Sequence, residues 1–476
     1  MLFNSFIFIV FASVFFPLLF LVKKSGNRNL RYGFLVAASF FFYGWWDWRF
    51  LFLILASGLI DYFGALGIHR YPARKKLFLV LSIIGNVGSL AVFKYSGFIA
   101  ENLDVLLGIA GFETNLAERV PNFMLILPVG ISFYTFQSMS YTIDIYRGFL
   151  KPTRNVLHFF AYLSLFPQLV AGPIVRARDL LPQLREPRTT SELERWNGFK
   201  LIIIGYFKKV VLADNIAPMV NSGFANIHLT EHSGFWWLII IGFAFQIYFD
   251  FSGYSDIARG LAKLMGLHFR LNFNHPYHSR SLREFWTRWH ISLSTWFRDY
   301  VYIPMGGSHR GKWRAHLYMW ITMVISGLWH GAAWTFIIWG ALHALYISVE
   351  RLTHWPQKLR DIPAGTLVSI VITNILVLIG WAFFRADSYH DALQIISNMF
   401  SWAGEGGFVT NEEIRNGIIW LSVSLLIEIV TYFRIKPHLS LPRQYRRIAD
   451  MLYVLLMLLA CIYLRGEGNV FIYFQF

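Results

Sequence analysis

The chain has 476 residues, 56% hydrophobic and only 15% charged, with a mean hydropathy of +0.46. That charge content is well under the quarter usual in soluble domains, which excludes a string of soluble domains of this length. The net charge of +16 would suit nucleic acid, but the positive residues lie in short loops between apolar runs and no nucleic-acid-binding module is visible, so that class is excluded too.

In chain order, twelve apolar runs read as membrane-spanning helices: 2–22, 32–46, 50–68, 77–96, 123–143, 199–219, 235–252, 315–328, 331–349, 365–384, 415–433 and 449–465. The first, followed by Lys23 and Lys24, lacks the charge-first order of a cleaved leader and reads as a retained helix. Lys/Arg in the loops around 23–31, 70–76, 147–154 and 434–447 mark cytoplasmic turns. The acidic loop 97–122 faces outside, which puts both termini outside. Segment 157–172 is too short to span and ends in Ala171-Gly172-Pro173, as a re-entrant or interfacial piece would. Residues 253–314 carry ten Lys/Arg among many aromatics, the pattern of amphipathic helices lying at the cytoplasmic interface. With no short repeat and no low-complexity tract, residues 1–476 read as one membrane-embedded, all-α polytopic domain of about 11–12 transmembrane helices with re-entrant and interfacial pieces.

Candidate sites also follow in chain order. Asp144, Arg147 and Gly148 form a helix stop with a structural reading. Phe166 to Pro173 is a Pro/Gly-broken apolar segment, which at membrane depth needs a cavity or a protein-buried setting. Asp250 and Asp256, in the dense patch Gln246–Asp256, are expected to pair with nearby arginines in a structural ion pair, with orientation of a histidine as the other reading. His275 and His278, with His268 nearby, raise zinc. Three or four ligands are required, and Pro276 argues against a regular helical pairing, so no metal is expected.

The single cysteine, Cys461, rules out an internal disulfide framework or a multi-cysteine metal centre. His290 lies among aromatics and arginines in Phe285–Tyr300 and reads either as a packed interfacial histidine or as part of a site. Arg288 and Arg298 beside it would suit a phosphate-rich group. His330, in Ser326–Phe336, is an ionisable group at membrane depth, where such groups are costly and mark function.

Taken together, the run Gln246–Gly307, Trp329-His330-Gly331, the segment Phe166–Arg176 and the closing Phe471–Phe476 resemble the membrane-bound O-acyltransferase (MBOAT) family, most of all its bacterial, AlgI-like alginate O-acetyltransferase branch. The resemblance covers most of the chain and is densest at about 125–345. It implies about a dozen membrane helices around a central passage. It implies His330 as the catalytic histidine and His290 as the family's second position.

The implied activity is O-acyl transfer, an acetyl group passing from a cytoplasmic thioester such as acetyl-CoA to an exported polysaccharide such as alginate. No bound cofactor is implied. Separate extracytoplasmic acetyltransferase proteins are implied as partners, in the bacterial cytoplasmic (inner) membrane. Arg288 and Arg298 are expected to hold the donor's phosphates. His330 would act as general base or as acyl carrier. Peptidoglycan, teichoic acid or a lipid are the other acceptors that fit, and a proton-coupled transporter is the reading from another class. Against a transporter stands the lack of an inverted repeat.

Overall fold

The computed structural model describes residues 1–169, 172–228, 230–401, 411–433, 443–469 and 471–474. Ala171, Arg434, Lys436, Gln475 and Phe476, used in the readings above, lie outside them. Among the described residues the regular structure is helical throughout.

Helix covers most of each of the twelve expected spans, and among the described residues six helical runs are long and apolar enough to cross a membrane: Phe6–Lys24, Arg28–Arg70, Pro72–Phe93, Ser233–Leu264, Gly365–Arg385 and Glu412–Tyr432. The protein is therefore an all-α polytopic membrane protein. Three elements differ from expectation in detail. The run 235–252 belongs to a 32-residue helix that continues through the polar patch to Leu264. The run 123–143 is broken into Asn122–Leu125 and Ile131–Tyr146, because Pro128 disfavours helix before it and Gly130 takes φ +76°. In 199–219 the helix widens into a π-helical segment, Phe207–Ala213.

The chain divides into two compact units. The first comprises residues 1–198 and 258–270. Its apolar packing includes an aromatic stack in which Phe166 meets Phe11 at 5.2 Å and Phe15 at 5.0 Å, both edge to face. The broken segment forms two short helices, Val156–Leu163 and Phe166–Leu169, with Phe159 to Leu169 buried. Non-spanning backbone at membrane depth is thus enclosed by protein, as its cost in lipid demands. Asp61 is fully buried and accepts from Ser82 Oγ, from Asn86 Nδ2 at 2.8 Å and from Thr142 Oγ1 at 3.0 Å, which ties the helices Leu51–Arg70, Lys75–Phe93 and Ile131–Tyr146 together. Gly148, at φ +80°, ends the last of these as expected, and Asp144 lies 3.9 Å from Arg178 Nε.

The second unit comprises residues 199–257 and 271–476. Its tightest helix pair is Lys312–His330 against Trp334–Thr353. Gly327 and Gly340 make that approach possible: a Cβ on Gly327 would stand 2.2 Å from the Phe336 carbonyl oxygen, and one on Gly340 2.4 Å from that of Met323. Both acids of the expected ion pairs meet lysines. The π-helical segment turns both Lys208 and Lys209 inward, so Lys208 meets Asp256 at 2.7 Å while Lys209 meets Asp214 at 2.8 Å and Asp250 at 2.9 Å. Lys209 Nζ also donates to the Asn469 carbonyl at 3.1 Å, and Asp250 accepts from the Ile472 backbone N–H at 2.8 Å. These bonds fasten Asn469 and Ile472 onto the helical body.

Candidate active site

Both singled-out histidines lie at helix boundaries in the second unit. The helix Leu282–Arg288 starts on a Ser281 cap, whose Oγ accepts from Glu284 N at 3.0 Å, and on Glu350, which accepts from Leu282 N at 2.6 Å. It stops at Arg288, Trp289 runs extended, and His290 turns left-handed at φ +39° before the helix Ile291–Phe297 begins. Such backbone in a non-glycine residue costs about 1–3 kcal/mol and persists only where the surroundings enforce it. Here Asn272 enforces it: its carbonyl accepts from Ile291 N at 2.9 Å, its Oδ1 from Ser292 N at 3.1 Å and Ser292 Oγ at 2.9 Å. Asn272 Nδ2 donates in turn to Ser255 Oγ at 3.1 Å.

His330 is the last residue of its helix. Its Nδ1 lies 2.6 Å from the Ser326 carbonyl oxygen. A carbonyl only accepts, so Nδ1 carries the proton and Nε2 the basic lone pair. Gly331 follows in extended conformation, where a Cβ would fall 2.0 Å from the Phe336 ring.

The structure brings the two histidines into one aromatic cage. His290 packs edge-on against Phe251 at 4.6 Å and Trp329 at 6.4 Å. His330 packs against Trp339 at 4.9 Å and Phe384 at 5.4 Å. Tyr473 stands between them, its ring 6.1 Å from His290 and 5.9 Å from His330. Only 0% of His290 and 4% of His330 is exposed. Burial holds the pKa of His290 well below the ordinary histidine value, and the nearby His330 lowers it further. The imidazole at 290 is therefore neutral at physiological pH and available as a hydrogen-bonding group.

Beside the cage lies a cavity of about 600 Å³. Ser326, whose carbonyl holds His330, and Ile291, next to His290, contribute to its lining. Trp286, Phe297, Met319 and Met323 make much of the rest apolar, and three guanidinium groups contribute to the lining: Arg283, Arg298 and Arg351. Arg298 pairs at this lining with Asp299, 2.7 Å from its Nε. Arg288 is not among the lining residues; it pairs with Glu284 at 2.7 Å.

Sequence reasoning missed Arg283, Arg351, Asn272, Lys209 and the position of Tyr473. For the two arginines the excess of charge in 253–314 was a partial signal. For Asn272 and Lys209 no local pattern distinguishes them.

The family model "MBOAT, membrane-bound O-acyltransferase family" matches residues 149–384, which include both histidines and most of the cage. The "Probable alginate O-acetylase AlgI" of Pseudomonas putida is 38% identical over 436 residues, 90% of this chain and 85% of that protein. The chain belongs to the membrane-bound O-acyltransferase family. The Pseudomonas aeruginosa protein of the same description is 37% identical over 456 residues, 93% of this chain and 83% of its own length. The "Peptidoglycan O-acetyltransferase" of Helicobacter pylori is 35% identical over 399 residues, 78% of this chain and 74% of that protein. This MBOAT protein is accordingly an acyltransferase enzyme of a multi-pass membrane type, similar to alginate O-acetylases.

Proposed function

We propose that this acyltransferase moves an acetyl group from a cytoplasmic thioester, acetyl-CoA by preference, toward an exported polysaccharide such as alginate, working in the bacterial cytoplasmic membrane. The observation that carries the reading is the pairing of His290 and His330 in one buried cage beside an arginine-bearing cavity of about 600 Å³. An acyl thioester is made inside the cell and the glycan is modified outside, so a histidine at membrane depth meets the thioester part-way. In this reading the cavity takes the donor's thioester arm, and Arg298, with Arg283 and Arg351, holds phosphate oxygens through charge-assisted hydrogen bonds.

The Nδ1–H bond to Ser326 fixes the His330 tautomer that leaves Nε2 basic. An acceptor hydroxyl gives its proton to Nε2 as its oxygen attacks the thioester carbonyl. The C–S bond then breaks, and the thiolate leaves with the proton returned by His330. Positioned proton transfer of this kind typically contributes about 10²–10⁴-fold. The neutral imidazole of His290 positions the carbonyl. Direct attack by His330 Nε2, with an acyl-imidazole on the way, is the covalent form of the same chemistry. Extracytoplasmic partner proteins complete delivery to the glycan.

The Helicobacter pylori relative favours one second reading, peptidoglycan as the acceptor. One experiment tests both. Alkali-labile acetate is measured in cell-surface glycans of a deletion strain carrying either the unaltered chain or His330→Ala at matched membrane expression. Acetate missing only with His330→Ala is the expected result, and the fraction that lacks it names the acceptor. Equal acetate in both strains overturns the assignment of His330.

A further inference from the structure

A second group of ionisable side chains takes no part in the chemistry above. Glu428 sits one turn before the end of the apolar helix Glu412–Tyr432 and is 4% exposed. A carboxylate in a membrane helix is costly and calls for a cation or a proton donor. Three groups face it. His275 Nδ1 is 2.8 Å from its Oε1, His278 Nδ1 is 3.7 Å from the same oxygen, and the Tyr248 hydroxyl donates to Oε2 at 3.4 Å.

An ordinary ion pair would need one imidazole. Two are brought here, and at a backbone cost: His275 is held left-handed at φ +49°, which swings it over the turn Pro276–His278 so that both rings address one carboxylate. The second ring nitrogen, His278 Nδ1, is inaccessible to solvent and has no hydrogen-bond partner. Its ring is fixed in place by stacking on Tyr432, 3.8 Å between centroids and 13° from parallel.

One ligand atom from each of the three residues can be chosen so that all lie within 4.8 Å of one another. A tetrahedral cation about 2.0–2.1 Å from each of three such atoms spaces them about 3.3 Å apart, a value between the 2.8 Å and 3.7 Å from the two imidazoles to Glu428 Oε1. The expectation of no metal rested on Pro276 breaking a helical His pair and on a missing third ligand. The chain supplies that ligand from 153 residues further on and replaces the helical pairing with a left-handed turn.

We propose that His275, His278 and Glu428 bind one Zn²⁺ ion, with water in the fourth position. Two imidazoles and one carboxylate suit zinc, whereas magnesium and calcium take oxygen donors. The side chains of His275 and His278 are 27% and 18% exposed, so the cluster lies near the protein surface. Tyr248 orients the carboxylate through its other oxygen, the usual role of a group behind a metal ligand. The ion clamps the segment that leads to Ser281, and so to the His290 elbow, onto the helix Glu412–Tyr432.

The test uses the full chain, purified in detergent without a histidine tag, stripped with a chelator and titrated with ZnCl₂. The expected result is one equivalent bound per chain and a zinc-dependent rise in Tm. Both should be lost in His278→Ala and in Glu428→Gln. No stoichiometric uptake, or uptake unchanged in both variants, overturns the site. Should the variants fail to fold by size-exclusion profile, the unaltered chain loaded with one equivalent of Cu²⁺ decides: pulsed electron paramagnetic resonance must count two imidazole nitrogens on the metal, and none or one overturns the site.

Discussion

Arg288 and Arg298 show what a single residue's setting decides. Both are arginines in the same basic stretch, and sequence offers no reason to separate them. In the structure Arg298 lines the cavity, while Arg288 spends its guanidinium on Glu284 one turn back along the helix. Arg298→Ala is therefore expected to raise the KM for the acyl donor by about tenfold, the size of one charge-assisted hydrogen bond, with kcat nearly unchanged. Arg288→Ala should leave the donor KM within about twofold. Steady-state kinetics on both variants checks the contrast, and equal effects would remove the cavity's assignment to the donor.

His330 was legible in the sequence for a different reason, whereas His290, among aromatics and arginines, gained its place through the family resemblance. An ionisable group is conspicuous against an apolar run, whereas an arginine among ten basic residues is not. Lys209 was hidden because its partner Asp250 is 41 residues away, and no periodicity records such a pairing.

At the scale of the element, the helices were legible and their irregularities were not. Runs near twenty apolar residues announce spans because each backbone polar group must be satisfied within the segment. The break before Ile131 could have been read from Pro128 and Gly130, but the hydropathy of 123–143 masks it. The π-helical turn at Phe207–Ala213 has no sequence mark, since it exists to aim Lys208 and Lys209 at acids on another helix.

The hairpin that carries His330 depends on the closeness of its two helices. Gly327→Ala would press a methyl group 2.2 Å from the Phe336 carbonyl oxygen, against backbone that has nowhere to go. The expected cost is about 1–3 kcal/mol, seen as a lower Tm, with a fall in kcat because His330 lies one turn further along. A variant as stable and as active as the unaltered chain would contradict the packing described.

For the molecule as a whole, the ion cluster at Lys209 is the joint that closes the cage. Lys209→Met leaves Asp214 and Asp250 as neighbouring buried carboxylates without their cation, a change that typically costs about 3–5 kcal/mol. It also removes the bond to Asn469. The expected outcome is release of residues 466–469 and 471–473, read as new protease cleavage there and loss of acyl transfer while the membrane helices stay protected. Activity with unchanged protection would show that Tyr473 is held by other means.

The fastening of Asn469 and Ile472 has a consequence in time. A ribosome has finished His290 and His330 long before it reaches Asn469, Ile472 and Tyr473, so a growing chain passes through a stage in which both histidines are inserted and their cage is open. Completion of the cage is thus deferred until Asn469 and Ile472 dock on Lys209 and Asp250. A chain whose synthesis stops before Asn469 would keep both histidines but lack the Tyr473 ring between them.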